Sequence, residues 1–356
     1  MRPQIGNREL ENVSNAVKSG WISSRGSYVG EFETKFANYV GTRHGAAVSN
    51  GTTALHLALT ALGITKDDEV ILPSLTYISC ANAISYTGAK PVFVDADLRY
   101  WCLNPTQIED QITESTRAIL VVHLYGHPCD MTPILEIARK HGLLVIEDCA
   151  EAHGAEYKGK KVGGFGDIGC FSFYGNKIIT TGEGGMCLTD NDQVAEKMML
   201  LRDHGMNRTK RYWHDIIGFN YRMTNLQAAI GVAQLEKIDR IIADKITIAK
   251  TYNKHLEGIE NLVCMPEMPW AKNVRWLYSI LVEENIRDRL ISQLEQQGIE
   301  VRPFFYPIHT LPPYKQARSQ PVAEQLSRRG LNLPSGPILT EAEIYEIVSI
   351  IRQVLR

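Results

Sequence analysis

Short apolar runs alternate with longer amphipathic stretches through the first half of the chain. Between about residues 45 and 190, seven of these runs have the length and the β-branched content of buried strands. They lie at residues 46–49, 69–72, 91–95, 118–124, 143–147, 169–173 and 185–189. Because helical stretches separate several of them, the pattern predicts βαβ units and a mainly parallel sheet.

Helical stretches in this part of the chain carry start and stop signals. Residues 53–62 are strong helix formers followed by Gly63, which ends a helix readily. Residues 132–141 begin with a capping Thr and a Pro in the first turn. Residues 224–252 form a longer amphipathic stretch, which we expect to be one continuous helix that bridges two domains.

The pattern changes at about residue 240. The elements predicted beyond it are an apolar run, a helix, a strand and a closing helix, at residues 276–282, 286–297, 299–302 and 341–355. Such a mixture is typical of a small α+β unit. We therefore expect a large domain over residues 1–240 and a small C-terminal domain over residues 241–356.

Composition and charge exclude several classes of function. The 356 residues contain 38 Lys plus Arg and 40 Asp plus Glu, so the formal charge is −2 and no global basic field favours nucleic acid. The longest apolar run, residues 118–124, is far shorter than the roughly 20 residues that a membrane span requires. We therefore expect neither a nucleic-acid partner nor a membrane segment.

The N-terminal residues and the cysteines indicate a cytoplasmic protein. No apolar core follows Arg2, so we expect no secretory signal. The seven Cys are an odd number and no two have C-x-x-C spacing. We interpret them as reduced core residues and expect no disulfide and no metal site.

One segment that joins a predicted strand to a predicted helix is suited to binding phosphate. Residues 49–53 offer the hydroxyl groups of Thr52 and Thr53, and the helix that starts near Gly51 has free N–H groups at its first turn. Taken alone, the same segment is better explained as a capped helix start. Its meaning therefore depends on what lies near it.

Two further features place an acid and an amine at strand ends. Residues 145–148 form a strand that ends in Asp148, and such ends face the ligand crevice of open α/β sheets. Lys177 follows an apolar strand, where loss of water favours a neutral, nucleophilic amine. Taken alone, Asp148 is also explained as a carboxylate that caps the next turn, and Lys177 as a solvated lysine. Together with the phosphate segment they supply the amine, the acid and the anion site that pyridoxal phosphate needs.

Seven segments in order also match one protein family over nearly the whole chain. They are residues 20–24, 49–59, 73–77, 147–153, 172–177, 181–185 and 218–224. With these motifs the chain resembles the DegT/DnrJ/EryC1/StrS nucleotide-sugar aminotransferases. The resemblance implies pyridoxal 5'-phosphate as cofactor and an α/β chain with the aspartate aminotransferase fold (fold type I), in which a large domain with a mainly parallel sheet precedes a small α+β domain.

The resemblance implies roles for the residues around the reacting atoms. Lys177 matches the catalytic lysine that carries the cofactor and moves protons, and Asp148 matches the acid that keeps the ring nitrogen protonated. Tyr77 matches the residue that stacks on the ring. One related sugar dehydratase has His in place of this Lys, so Lys177 favours transamination.

Further matches concern the cofactor's phosphate and its phenolic side. Gly51, Thr52 and Ser172 match the family's phosphate contacts, while Asn220 matches a segment that reaches the phosphate of a neighbouring subunit. Glu151 matches the position on the phenolic side, where relatives vary. Family members place the active site between subunits, so we expect a homodimer or a larger homo-oligomer.

The substrate is indicated by four segments, at residues 123–131, 212–218, 302–309 and 329–335. They resemble family members that transfer an amino group, with L-glutamate as donor, to C4 of GDP-4-keto-6-deoxy-mannose. Aromatic and amphipathic residues in such loops suit stacking on a sugar or a base, and Trp213 and His309 are the candidates nearest the site. Packing at a domain or subunit interface explains each of them equally well.

Two alternatives to this substrate and activity remain open. An aminotransferase for a UDP- or dTDP-linked 4-keto-6-deoxy sugar would keep every cofactor residue and differ only in its loops. A non-catalytic regulator that binds pyridoxal phosphate ranks lower, because no helix-turn-helix extension precedes residue 20. The expected fate of the product is a surface polysaccharide such as O-antigen.

Overall fold

The computed structural model describes residues 3–207 and 209–355. The α-helices are α1 (Asn7–Ser19), α2 (Ser27–Val40), α3 (Gly51–Ala61), α4 (Ser79–Tyr86), α5 (Met131–His141), α6 (Asp192–Leu201), α7 (Asn225–Leu235), α8 (Ile238–Leu256), α9 (Glu284–Gln296), α10 (Pro321–Arg329) and α11 (Glu341–Leu355). The strands are β1 (His44–Val48), β2 (Glu69–Pro73), β3 (Lys90–Val94), β4 (Thr116–Val122), β5 (Leu144–Asp148), β6 (Glu156–Tyr157), β7 (Lys160–Lys161), β8 (Ile168–Ser172), β9 (Gly185–Thr189), β10 (Val263–Cys264), β11 (Ala271–Lys272), β12 (Tyr278–Leu281), β13 (Arg302–Pro303) and β14 (Gly330–Leu333).

The main sheet has seven strands in the order β1-β9-β8-β5-β4-β2-β3. The pairs β2–β3, β2–β4, β4–β5 and β5–β8 are parallel, whereas β8–β9 and β1–β9 are antiparallel. The expectation of a mainly parallel sheet is confirmed. All seven predicted strands are present, with ends that differ by at most two residues from those expected.

Both faces of this sheet are buried. Along β4, Ala118, Leu120 and Val122 belong to a core cluster with α3, α4 and α6, while Ile119 and Val121 belong to a cluster with α2, α5 and α7. Successive side chains of a strand point to opposite faces, so a run that is apolar throughout needs helices on both sides. This is why residues 118–122 show no polar alternation.

The stretch predicted as one helix over residues 224–252 is divided. Helix α7 ends at Leu235 and α8 starts at Ile238, because Lys237 between them has non-helical backbone angles of φ −118° and ψ 10°. The Lys237 ammonium pairs with Glu9 at 2.5 Å and donates to the Gln4 carbonyl at 2.7 Å. The break between the two helices is thus accompanied by contacts with the N-terminal segment. The helical pattern of the sequence does not predict these contacts.

Helix α8 runs through the predicted domain boundary. Its first residues, Ile238, Ile241 and Ile242, belong to the large core cluster, whereas Ile248–Leu256 pack with β12, β14, α9 and α11. The four-stranded sheet of this second region has the order β10-β12-β14-β13 and its pairs are antiparallel. The division at residue 240 stays a prediction.

A third sheet, β11-β6-β7, has three short strands. Within residues 3–207 and 209–355, every helix is too short or too polar to cross a membrane.

Candidate active site

The carboxyl ends of several sheet strands surround one cavity of about 670 Å³. Asp148 is the last residue of β5, Ser172 the last of β8, and α3 starts soon after β1. Eight of the residues singled out from the sequence line this cavity: Gly51, Thr52, Thr53, Tyr77, Asp148, Glu151, Ser172 and Lys177. They come from four separate segments, and the parallel strands bring them to one edge of the sheet.

The start of α3 forms one wall of the cavity. Asn50 caps the helix by accepting the Thr53 N–H at 2.9 Å, and the Thr53 hydroxyl accepts the Asn50 N–H at 3.1 Å. A Cβ atom on Gly51 would lie 2.7 Å from the Cβ of Ser172, so only glycine allows this close approach. The first amide groups of the helix and the Ser172 hydroxyl are thereby brought together as a cradle for an anion.

Asp148 lies at the opposite wall and is 6% exposed. The Ala150 N–H donates to its Oδ1 at 2.9 Å, and the Cys80 thiol donates to its Oδ2 at 3.0 Å. Burial beside Asp148 raises the pKa of Cys80 well above its usual range, so the thiol keeps its proton. These two donors fix the orientation of the Asp148 carboxylate.

Lys177 and Glu151 face each other inside the cavity. The Lys177 Nζ lies 3.9 Å from Glu151 Oε1, and the two side chains are 12% and 6% exposed. Burial raises the pKa of Glu151 to about 7, against the attraction of Lys177. Burial also lowers the pKa of Lys177, against the attraction of Glu151 and Asp148. The site therefore holds an acid whose pKa lies near neutral pH beside an amine whose pKa is lowered by burial.

The strained turn at Tyr125 holds the Glu151 carboxyl group in place. Tyr125 has φ 53°, a left-handed conformation that a non-glycine residue adopts at a cost, and its N–H donates to Glu151 Oε2 at 2.7 Å. The Tyr125 hydroxyl accepts the N–H of Phe305, which also lines the cavity, at 3.2 Å. This turn therefore connects the acid to a loop of the C-terminal region.

Three candidate residues lie outside the cavity lining. Asn220 is exposed and accepts two hydrogen bonds from Arg222, at 2.7 and 3.1 Å. Trp213 is 52% exposed and its indole N–H donates to Asp215 at 3.1 Å. Neither side chain lines the cavity of its own chain.

His309 is buried in the loop that follows β13. One ring nitrogen lies 2.6 Å from the Ser74 hydroxyl and the other lies 3.2 Å from Glu324, and only 3% of the residue is exposed. With both ring nitrogens engaged, the imidazole fastens this loop to the end of β2. The structure does not bring His309 to the cavity.

Several lining residues were not singled out from the sequence, among them Trp276 and Arg302, which enter from the C-terminal region, and Glu183, which follows the Lys177 turn. Phe305, one of the loop aromatics predicted to suit stacking on a sugar or base, also lines the cavity, 5.7 Å from the Tyr77 ring. Arg302 and Phe305 lie in a segment that the family resemblance already covered, which was the available signal. Trp276 was included only in a predicted apolar run.

A buried group of His123, Glu147 and Cys149 has ligand atoms within 4.8 Å of one another, as a metal site requires. The Cys129 N–H donates to His123 Nδ1 at 3.0 Å, and the other ring nitrogen lies 3.1 Å from Glu147. Glu147 also accepts three backbone N–H groups from residues 163–166 at 2.7–2.8 Å. These contacts explain the group as a hydrogen-bonded brace for the loop before β8.

The chain matches known proteins over all the segments that form the cavity. The model of the DegT/DnrJ/EryC1/StrS aminotransferase family matches residues 3–352. The GDP-perosamine synthase of Caulobacter vibrioides is 50% identical over 359 residues, covering 99% of this chain and 97% of that protein. The GDP-perosamine synthase of Escherichia coli O157:H7 is 48% identical over 354 residues, covering 99% and 97%.

The fold is also shared with solved structures. The structure of DesV from S. venezuelae matches with a TM-score of 0.93 and 36% sequence identity. The match covers 98% of this chain and 94% of that one. Sequence and fold therefore agree along the whole chain, including all the segments that form the cavity.

Proposed function

Because the chain belongs to the DegT/DnrJ/EryC1/StrS aminotransferase family, we propose that it transfers the amino group of L-glutamate to C4 of GDP-4-keto-6-deoxy-D-mannose, forming GDP-perosamine. The observation that carries the aminotransferase chemistry is the convergence of Lys177, Asp148 and the glycine start of α3 on one cavity. The choice of sugar rests on the two GDP-perosamine synthases, which are about half identical to this chain.

The cofactor of this family is pyridoxal 5'-phosphate, and the cavity fits it. The space of about 670 Å³ is within the range of small-molecule sites. The cradle at Gly51, Thr52, Thr53 and Ser172 suits the phosphate group, since a Cβ on Gly51 would close it. A carboxylate held in fixed orientation at Asp148 suits the protonated ring nitrogen.

Pyridoxal phosphate, when bound, supplies an aldehyde that condenses with amines and a ring that accepts electrons. The protein supplies the proton transfers. With the cofactor bound, Lys177 would be the residue that holds its aldehyde, and the Lys177 amine, once free, would serve first as the base and then as the acid in the proton transfer at the donor's α-carbon. Asp148, oriented by its two hydrogen-bond donors, would hold the protonated ring nitrogen.

Glu151 acts as the acid on the cofactor's phenolic side. It lies 3.9 Å from Lys177, and its raised pKa, about 7, makes both its forms available at neutral pH. Tyr77 is 57% exposed and lies at the cavity's open side, where its ring can cover the face of the cofactor. Arg302 contributes a guanidinium to the lining, which suits an anionic substrate.

We propose a homodimer or a larger homo-oligomer, located in the cytoplasm. The exposed placement of Asn220 supports this, because its side chain then contacts the phosphate site of a neighbouring subunit. Trp213 is equally exposed and contacts the sugar or base across the same boundary. His309 supports the sugar site by positioning the loop that carries Phe305.

The visible absorption spectrum of the protein with pyridoxal phosphate, before and after L-glutamate, tests the cofactor role. We expect a visible band that disappears with glutamate in the wild type. The band should be absent in Lys177→Ala and unchanged in Lys197→Ala, which alters an exposed lysine of α6. A wild-type spectrum that is the same as that of Lys177→Ala would contradict the proposal.

Turnover on a panel of sugars tests the substrate. Wild-type protein is given L-glutamate with GDP-4-keto-6-deoxy-mannose, or with the UDP- and dTDP-linked 4-keto-6-deoxy sugars, and the products are measured by mass spectrometry. We expect a kcat/KM at least tenfold higher for the GDP sugar. A preference for another nucleotide would refute the GDP assignment and leave the aminotransferase assignment intact.

A further inference from the structure

The ammonium of Lys177 lies against an aromatic ring that was not predicted from the sequence to belong to the site. Its Nζ is 3.8 Å from the centroid of the Trp276 ring. Trp276 is 4% exposed and belongs to the lining of the same cavity. A cation at this distance from the face of an indole is attracted by the negative potential of the ring, and burial strengthens the attraction.

The ring is held in this place by contacts on several sides. The Trp276 indole N–H donates to the carbonyl of Asn176, the residue before Lys177, at 2.8 Å. The ring of Tyr125 lies 6.4 Å away at an angle of 25°. A Cβ on Gly126 would lie 2.9 Å from the nitrogens of Arg275 and Trp276, so this glycine lets the segment approach.

Arg275, the residue before Trp276, is also held in an unusual backbone conformation. Arg275 has φ 53°, and its guanidinium donates to the Met265 carbonyl and to Glu267, both at 2.8 Å. Strain of this kind persists where surrounding contacts over-determine the backbone, and it often occurs at functional sites. The position of Trp276 is therefore fixed from both sides.

Other charged and titratable groups also act on the Lys177 amine. Glu151 and Asp148 favour its charged form, while Arg302 and burial favour its neutral form. Cys80 also favours the charged form of Lys177, and the other neighbour is His153, a buried imidazole whose pKa burial lowers to about 3. The ring of Trp276 adds an attraction that acts only on the ammonium.

We propose that Trp276 is a positioning residue whose ring receives the ammonium of Lys177 whenever this side chain is not bonded to the cofactor. The inference rests on the proposed role of Lys177 but not on the identity of the sugar. It gives the amine a defined location between its two duties, which are to accept a proton as a base and to deliver it as an acid. A merely structural Trp276 would fill space without distinguishing the two forms of the amine.

The experiment titrates the Lys177 amine in the cofactor-free, full-length protein. The rate at which an amine reagent labels Lys177 is followed by mass spectrometry as a function of pH, in protein containing tryptophan with zero, one or two fluorine atoms on the indole. Fluorine weakens the negative potential of the ring and hardly changes its volume. We expect the titration midpoint to fall by about 0.3 with each fluorine atom.

Two controls make this result specific. In Trp276→Phe the four other tryptophans carry the fluorine, so the midpoint should no longer depend on fluorination. Lys210 lies 3.6 Å from the ring of the half-exposed Trp213, and this solvated pair should respond less than Lys177. A midpoint that is independent of fluorination in the wild type, or the same dependence in Trp276→Phe, would overturn the proposal.

Discussion

Substitution of Gly51 by Ala tests the cradle at the start of α3. The added Cβ would lie 2.7 Å from the Cβ of Ser172 and 3.1 Å from its hydroxyl oxygen. Carbon atoms in good contact lie about 3.5–4.0 Å apart, so the helix and β8 must separate by about 1 Å. We expect Gly51→Ala to weaken both the fold and the binding of pyridoxal phosphate.

The magnitude follows from two opposing effects. Ala is favoured over Gly in a helix by at most about 1 kcal/mol, and by less at the first helical position. Overpacking of a close contact costs about 1–3 kcal/mol. If the added methyl group displaces Ser172 from the phosphate cradle, this energy is lost from cofactor binding. It then corresponds to a loss of about 5-fold to about 100-fold in cofactor affinity.

Equilibrium titration of cofactor-free protein with pyridoxal phosphate measures the affinity, and urea unfolding at the same protein concentration measures stability. Gly30→Ala is the matched control, because Gly30 lies within α2 and a Cβ there would have nothing within 4 Å. The control should keep its affinity and gain up to about 1 kcal/mol of stability. Wild-type affinity and stability in Gly51→Ala would refute the cradle argument.

Three further predictions concern Glu151, Cys80 and His309. The unfolding free energy of the wild type should fall by up to about 3 kcal/mol, relative to that of Glu151→Gln, as pH rises from 4.5 to 7. The reason is that Glu151 keeps a proton in the native state that the unfolded chain releases over this range. Urea unfolding at several pH values measures the effect, and the same pH dependence of stability in both proteins would contradict it. Cys80→Ala should weaken cofactor binding about 5-fold by removing a hydrogen bond to Asp148, whereas Cys80→Ser should restore it; equal titration curves for the two variants would exclude this role. His309→Ala should lower the unfolding free energy by about 1–3 kcal/mol, because Ser74 loses a buried partner, and an unchanged urea midpoint would argue against that role.

The sequence predicted well what local patterns and strand order determine. The apolar runs set the seven strands, and parallel pairing then brings Asp148 and Lys177 to the same edge of the sheet. The division of the 224–252 helix was not predicted, because it is accompanied by contacts between Lys237 and the N-terminal segment. Local periodicity contains no information about partners more than 200 residues away.

The same distinction separates the lining residues that were predicted from those that were not. Gly51 and Lys177 each follow a strand and Asp148 ends one, so their place relative to the sheet is fixed by their own neighbours in sequence. Trp276 reaches Lys177 only because Gly126 lets a strained segment pack against the turn after β4. The residues expected to contact the cofactor can therefore be predicted from the sequence. The residues of the C-terminal region that contact Lys177 cannot, because their position depends on how that region packs against the main sheet.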